Sequence, residues 1–96
     1  MIDLVISSAA EDEYTDALTW FAERSVQAAE RFDLEFEQAL GTITSDPQRF
    51  PRCDDRHHYY LMRHFPYQII YRQHADLWVV IAVAHTARRP RYWSAR

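Results

Sequence analysis

The chain has no lysine, a single cysteine and a single glycine among its 96 residues. All 11 cationic side chains are therefore arginines, which most simply reflects the coding bias of the source. Cys53 has no partner for an internal disulfide, and a solitary thiol is more often incidental than nucleophilic. No apolar run approaches the roughly 18 residues that a membrane-spanning helix needs, and the start (MIDL) lacks the pattern of a signal peptide. We therefore predict a cytoplasmic protein without a membrane-spanning segment.

Acidic and basic residues are unevenly distributed along the chain. Residues 1–50 carry a net charge of −8 and residues 51–96 a net charge of +5, which together give the overall −3. The first half is typical of solvated helix faces, and the second half offers a surface for anions or for an acidic partner. With 48% hydrophobic and 15% aromatic residues, the chain can bury one modest core, so residues 1–96 are predicted to form a single domain.

Two helices are predicted from apolar residues that recur every three to four positions in the first half of the chain. Ser8 and Glu11 have the spacing of a capping box, which predicts the start of the first helix. Trp20 lies off the apolar stripe of this helix and Leu34 off that of the second, so both are candidates for contact outside the domain. Gly41 falls inside the second helix, where glycine costs about 1 kcal/mol relative to alanine, and this indicates close packing or an early helix end.

One short strand before the helices and three strands after them are predicted. The first covers residues 2–6, and alternating residues predict a hairpin over residues 57–64 and 67–72. A long apolar strand follows at residues 77–85. The resulting order, β-α-α-β-β-β, predicts an α+β fold in which the helical hairpin packs on one face of a mainly antiparallel four-stranded sheet.

The long strand is apolar on both faces. Strict alternation places Leu77, Val79, Ile81 and Val83 on one face and Trp78, Val80, Ala82 and Ala84 on the other. The helices can cover only one face, so the second must be covered by the C-terminal tail (residues 86–96), by a second copy or by a foreign chain. A partner is the physical expectation.

Histidines and the arginine-rich tail are the candidates for chemistry. No metal or other cofactor is expected, because His57 and His58 point to opposite faces of a strand and no cysteine or carboxylate completes a ligand set. His85 could act as a general base beside cations and an aromatic ring that hold RNA. The residues that could hold the phosphate and stack a base are Arg88, Arg89, Arg91 and Arg96, interleaved with Tyr92 and Trp93. We call His85, Arg88, Arg89 and Tyr92 the nuclease set. Spacing alone favours a structural alternative, in which His85 caps a strand and the arginines pair with helix carboxylates.

Three motifs, together with the order of elements, carry a resemblance to a known family. They are Leu61-Met62-Arg63 leading to Phe65-Pro66-Tyr67, then Ile69-Ile70-Tyr71-Arg72, and finally Val83-Ala84-His85 followed by Arg88-Arg89-Pro90-Arg91-Tyr92-Trp93. On these residues, nearly the whole chain resembles the RelE/ParE superfamily of bacterial toxins from type II toxin-antitoxin pairs. The last motif is the most specific and is typical of ParE-like members.

The superfamily has two functional branches, which differ in residues that this chain lacks. Ribosome-dependent mRNA endoribonucleases of the RelE kind use lysines on the strand matching residues 59–61 and an arginine after the tyrosine matching Tyr67. Here the lysine positions are Tyr59 and Leu61, and Gln68 replaces the arginine. Most of the base, acid and cation set that RNA cleavage needs is therefore missing. What the RelE-like alternative retains is His85, Arg88, Arg89 and Tyr92.

The ParE-like branch implies a toxin of the plasmid-stabilisation kind that inhibits DNA gyrase by binding, without chemistry of its own. It also implies a co-encoded antitoxin that neutralises the toxin in a hetero-oligomer, and no direct sequence-specific nucleic-acid binding. A non-toxic binding module of the same fold is the further alternative. The candidate residues for contact with the target or the antitoxin are Trp20, Leu34, Arg63, Arg72, Arg88, Arg89, Arg91, Tyr92, Trp93 and Arg96.

Two expectations follow for the tail and for the second sheet face. We expect acidic and apolar residues of the antitoxin to cover either the second sheet face or the basic tail. Removal of residues 91–96 is expected to abolish toxicity while leaving the fold largely intact.

Overall fold

Two helices pack on one face of a four-stranded sheet in the computed structural model, which describes residues 3–96. Tyr14 meets Phe36 and Phe21 meets Phe32, so the two helices run antiparallel. The predicted element order and the α+β class are confirmed. Ile2, the first residue of the predicted first strand, lies outside the described residues. The elements are β1 (Leu4–Ile6), α1 (Ser8–Arg24), α2 (Val26–Ser45), β2 (His58–Leu61), β3 (Tyr67–His74) and β4 (Leu77–His85).

The helix boundaries depend on two serines. Ser7, not Ser8, caps α1, because Ser7 has an extended backbone and its Oγ accepts the Ala10 N–H at 3.2 Å. Ser25 ends α1 and caps α2 in the same way. The interpretation of Gly41 is wrong, since a Cβ added there would meet nothing within 4 Å and α2 continues to Ser45.

The sheet has the order β1-β4-β3-β2, with β1 parallel to β4 and the other pairs antiparallel. A β-bulge interrupts β4 at Ile81, because Tyr71 lies opposite Val80 and Ile70 lies opposite Ala82. The predicted alternation therefore holds through Ile81 and is wrong from Ala82 onward. The helix side of β4 presents Trp78, Val80 and Val83, whereas Ile81, Ala82 and Ala84 belong to the other face.

Each face of the sheet has its own buried cluster. The first lies between helices and sheet and includes Phe32, Phe36 and Tyr71. The second cluster consists of Ile70, Ile81, Ala82, Ala84 and Trp93, with Tyr92 and Cys53 packed against it. The tail thus covers the second face, and the expectation that a partner would cover it is wrong.

Candidate functional site

Glu13, near the start of α1, holds the tail against the sheet. Its carboxylate accepts hydrogen bonds from the Val83 backbone N–H at 3.0 Å and from the Tyr92 hydroxyl at 2.7 Å. It also pairs with the guanidinium groups of Arg88 at 3.1 Å and Arg96 at 3.0 Å. Because the Glu13 side chain is only 11% exposed, these charge-assisted bonds are screened little by water. One helix carboxylate therefore pairs with two arginines of the tail.

Arg96 also reaches the β-bulge. Its Nη1 donates to the Ile81 carbonyl oxygen at 3.0 Å. Ile81 has no opposite residue in β3, and β1 pairs with β4 only as far as Val80. The side chains of Glu13 and Arg96 therefore supply hydrogen bonds that no neighbouring strand provides to this part of β4.

Tyr92 is held as a neutral phenol. Burial raises the pKa of Tyr92 to about 12, and the hydrogen bond to Glu13 and the charge of Glu13 act in the same direction. The Arg88 guanidinium lies 3.7 Å from the centre of the Tyr92 ring, in cation-π contact. At physiological pH the Tyr92 hydroxyl is consequently a hydrogen-bond donor to Glu13 and not a proton acceptor.

A second carboxylate, Asp54, anchors the tail from the loop before β2. It accepts bonds from the Arg91 guanidinium at 3.1 Å, from the Arg56 and His57 backbone N–H groups at 2.8 Å each and from His57 Nδ1 at 2.9 Å. Burial alone would raise the pKa of Asp54, but the hydrogen bonds from Arg56 and His57 lower it to about 2. Arg91 has a left-handed backbone, with φ of 60°. Its Nη1 donates to the Cys53 carbonyl oxygen at 3.1 Å, which helps to hold Arg91 in this conformation.

Trp93 is a core residue. It is 3% exposed and packs in the second buried cluster, with its ring 5.0 Å from that of His57 in an edge-on arrangement. Trp93 is therefore not available for contact with a partner. The structure also contradicts the expectation that removal of residues 91–96 leaves the fold intact. That deletion would uncover the second cluster and leave Glu13 and Asp54 without arginine partners.

A cleft of about 380 Å³ opens between α1 and the ends of β3 and β4. Trp20, Tyr67, His85 and Arg88 are among the residues that line it. His85 Nδ1 accepts the Ala87 backbone N–H at 3.0 Å, so in the neutral ring the proton resides on Nε2. The acceptor nitrogen of the neutral His85 ring is thus engaged with the backbone.

The nuclease set is brought to one end of the molecule, where most of its members already have hydrogen-bond partners. Arg88 and Tyr92 are bonded to Glu13, and His85 lacks a free basic nitrogen. Only Arg89 is exposed and without a hydrogen-bond or ion-pair partner within residues 3–96. The arrangement can recognise a surface more readily than it can transfer protons.

The remaining predicted contact residues lie elsewhere. Leu34 is 59% exposed and lines a separate pocket of about 480 Å³ with Glu35 and His64. The Arg63 backbone N–H donates to Glu35 at 2.6 Å, which places it close by. Arg72 lies in another pocket near the far end of β3. The predicted residues therefore divide among three places on the surface.

Sequence reasoning missed Glu13 and Asp54. A signal for Glu13 was present, because it falls three residues after Ala10 and four before Ala17, on the stripe that α1 buries. An acidic residue on an apolar stripe needs buried partners. Asp54 is followed by Asp55 in a charged loop, and nothing in the sequence distinguishes the two.

Within residues 3–96, no helix is long and apolar enough to cross a membrane. Nowhere in residues 3–96 do three or more His, Cys, Asp or Glu side chains come together so that they could hold a metal ion.

Comparisons with known proteins agree with the sequence resemblance. A family model described as ParE toxin of type II toxin-antitoxin system, parDE, matches residues 4–90. A solved chain from the "Chromosomal ParDE TA system from P. aeruginosa" has the same fold, with a TM-score of 0.72 over 88% of this chain and 96% of that chain, at 11% identity. No curated protein matches the sequence. Because the family model covers far more than half of its length, this chain belongs to the ParE toxin family of type II toxin-antitoxin systems.

Proposed function

We propose that this chain inhibits DNA gyrase by binding to it in the cytoplasm, without chemistry of its own, and that a co-encoded antitoxin neutralises it. The family match over residues 4–90 carries the proposal. Binding fits the site better than catalysis does, because carboxylates already pair with Arg88, Arg91 and Arg96. The basic nitrogen of His85 is likewise engaged with the backbone.

The proposed contact surface combines the cleft with the outer side of the tail. Trp20 is 48% exposed, and the Arg24 guanidinium stacks 3.6 Å above its ring. Arg88 and Arg89 lie beside the same end of the sheet, and Arg88 keeps half of its side chain exposed despite its pairing. An exposed tryptophan near arginines has the composition of interface hot spots. Leu34, Arg63 and Arg72 lie apart and are secondary candidates.

The same surface is the proposed site of the antitoxin. An antitoxin segment with apolar and acidic residues complements Trp20 and the exposed faces of Arg88 and Arg89. Because antitoxin and gyrase then compete for one surface, neutralisation needs no conformational change in the toxin. Pre-formed toxin-antitoxin complex should therefore fail to bind gyrase.

A supercoiling assay tests the target directly. Purified protein should inhibit gyrase in a concentration-dependent manner, and addition of the antitoxin should restore supercoiling. In cells, expression of the chain alone should arrest growth with DNA damage. Unchanged supercoiling at a large molar excess of the protein over gyrase would rule out the gyrase target.

In vitro translation with primer extension distinguishes the alternatives. Codon-specific cleavage in the ribosomal A site would assign the RelE-like endoribonuclease activity and contradict our proposal. Growth without any phenotype, together with a co-purifying antitoxin, would assign a non-toxic binding module instead.

Point variants test the contact surface without disturbing the buried tail. Trp20→Ala and Arg89→Gln should each weaken gyrase inhibition about tenfold, because exposed aromatic and arginine side chains dominate interfaces. The matched controls are Leu61→Ala and Arg31→Gln, which also remove an exposed apolar group and an exposed charge. If the control variants lose as much inhibition, the contact surface is assigned to the wrong place.

A further inference from the structure

A polar pocket of about 270 Å³ lies where the loop before β2 meets the end of β3. The register of β2 with β3 begins at His58 opposite Tyr71, whereas β3 continues to His74, so the last residues of β3 extend past the start of β2. The loop before β2 folds next to this extension. The lining includes Arg52, Arg56 and Arg72 together with Asp55, Gln48 and Gln73, and we call it the edge pocket.

The three arginines of the edge pocket have no anionic partner. Among residues 3–96, no hydrogen bond or ion pair involves the guanidinium group of Arg52, Arg56 or Arg72. Asp55 is the acidic residue in the lining, so its side chains carry a net charge of +2. In an acidic protein, three unpaired cations around one small cavity form a positive site that attracts anions.

Arg72 adds a geometric observation. Within the described residues, its Nε–H is buried and has no hydrogen-bond partner. A buried donor without an acceptor is unfavourable, and such groups in native structures usually have a partner that completes them. The acceptors in the lining of the same pocket are the Asp55 carboxylate, the amide oxygens and the His58 ring, and none of them is bonded to Arg72 Nε.

We propose that the edge pocket binds a phosphate monoester, as found on a nucleotide or at the 5′ end of a nucleic-acid strand. Arginine forks bind phosphate in a bidentate manner, and several forks can share the three terminal oxygens of one phosphate. A carboxylate has only two oxygens and a single charge. A phosphate monoester carries close to two negative charges at neutral pH, which matches the net charge of the lining. The amide groups of Gln48 and Gln73 supply further donors.

Nuclear magnetic resonance of ¹⁵N-labelled protein tests the assignment at the Arg72 Nε–H. An Arg72→Lys variant, which lacks this resonance, identifies it in the spectrum. The probes are inorganic phosphate, AMP, and a trinucleotide with and without a 5′-phosphate, against acetate and chloride at equal ionic strength. We expect a saturable shift of the Arg72 Nε–H with the phosphate monoesters and none with the unphosphorylated trinucleotide or acetate. A stronger response to AMP than to the phosphorylated trinucleotide identifies a free nucleotide as the ligand, and the reverse identifies a strand end.

Variants on the exposed loop keep the test independent of folding. Arg52→Gln and Arg56→Gln should each weaken phosphate binding about tenfold, as loss of one charge-assisted contact does. Arg31→Gln removes one exposed charge on α2 that does not line the edge pocket, and it should leave the affinity unchanged. Equal affinities of the loop variants and the Arg31 control, a response that does not saturate, or an equal response to acetate would each overturn the proposal. Gyrase activity does not enter this measurement, so its outcome is independent of the proposed target.

Discussion

Six arginines of this chain form two groups that differ in whether the guanidinium group is bonded to a carboxylate. In the tail, three guanidinium groups lie 3.0 to 3.1 Å from an acidic side chain. In the edge pocket, three others have no such neighbour within residues 3–96. The paired tail arginines are Arg88, Arg91 and Arg96, and the unpaired ones are Arg52, Arg56 and Arg72. A dense run of arginines in the sequence therefore does not by itself mark the cations that are free to bind.

The difference arises from where each group lies in the fold. The tail runs back across the sheet and meets α1 at Glu13 and the loop at Asp54, so its charges complete the packing of the domain. The edge pocket lies beside the end of β3, and Asp55 is the only carboxylate among its lining residues. One group stabilises the fold, and the other is available for a ligand.

The largest expected effect on stability comes from Trp93, which anchors the tail that carries the paired arginines. Trp93→Ala should lower the free energy of unfolding by about 3 to 5 kcal/mol, because it removes a buried aromatic ring from the second cluster. The control is Trp20→Ala, which truncates a half-exposed tryptophan and should cost less than about 1 kcal/mol. Urea denaturation followed by circular dichroism measures both. Equal losses would show that the tail is not part of the core.

Loss of the shared carboxylate should have the next largest effect. Glu13→Gln should lower the free energy of unfolding by about 1 to 3 kcal/mol, because Arg88 and Arg96 lose their charged partner in a partly buried place. Glu30→Gln, an exposed change of the same kind on α2, should have little effect. Thermal unfolding of the two variants distinguishes them. A stable Glu13 variant would mean that the paired arginines do not need their partner.

The pH dependence of stability tests the second anchor. Because the folded state lowers the pKa of Asp54 from its ordinary value of 3.8 to about 2, its contribution is fully present above pH 3.8 and is lost as the pH falls towards 2. The loss should amount to about 2 kcal/mol. Asp54→Asn should remove this part of the acid dependence, whereas the exposed neighbour variant Asp55→Asn should retain it. Denaturant titrations between pH 5 and pH 2 provide the comparison.

The smallest effect compares one member of each arginine group directly. Arg96→Gln should cost about 1 kcal/mol of stability, since Arg96 bonds both Glu13 and the Ile81 carbonyl. Arg56→Gln should change stability by less than about 0.5 kcal/mol, because its guanidinium has no partner among the described residues. Chemical denaturation of both variants measures this difference. If Arg56→Gln lowers stability more than Arg96→Gln does, the distinction between paired and unpaired arginines is wrong.

Most of the fold could be predicted because it depends on patterns that are local in sequence. The period of the apolar residues sets the helices and strands, and β4 begins and ends where its apolar run does. The bulge at Ile81 could not be predicted, since it arises from the pairing of two strands and from side chains of α1 and the tail. The choice between Ser7 and Ser8 as helix cap likewise depends on the backbone that β1 imposes.

The candidate site was harder to predict because its partners are distant in sequence. The tail was recognised as important, but the composition of Arg88 to Trp93 cannot show that Trp93 turns inward while Arg89 stays exposed. Whether an arginine is free depends on where acidic side chains from other elements lie. The edge pocket combines residues from a loop and a strand, which no short motif joins.

The bond between Glu13 and Arg96 joins positions that are 83 residues apart. During translation, α1 leaves the ribosome long before the segment that covers the far side of its sheet. The first strand must also wait for β4, its only neighbour in the sheet order. Contacts this distant in sequence make folding slow, since the chain must close a long loop before they form. A nascent chain therefore cannot complete its second cluster before Trp93 has emerged from the ribosome.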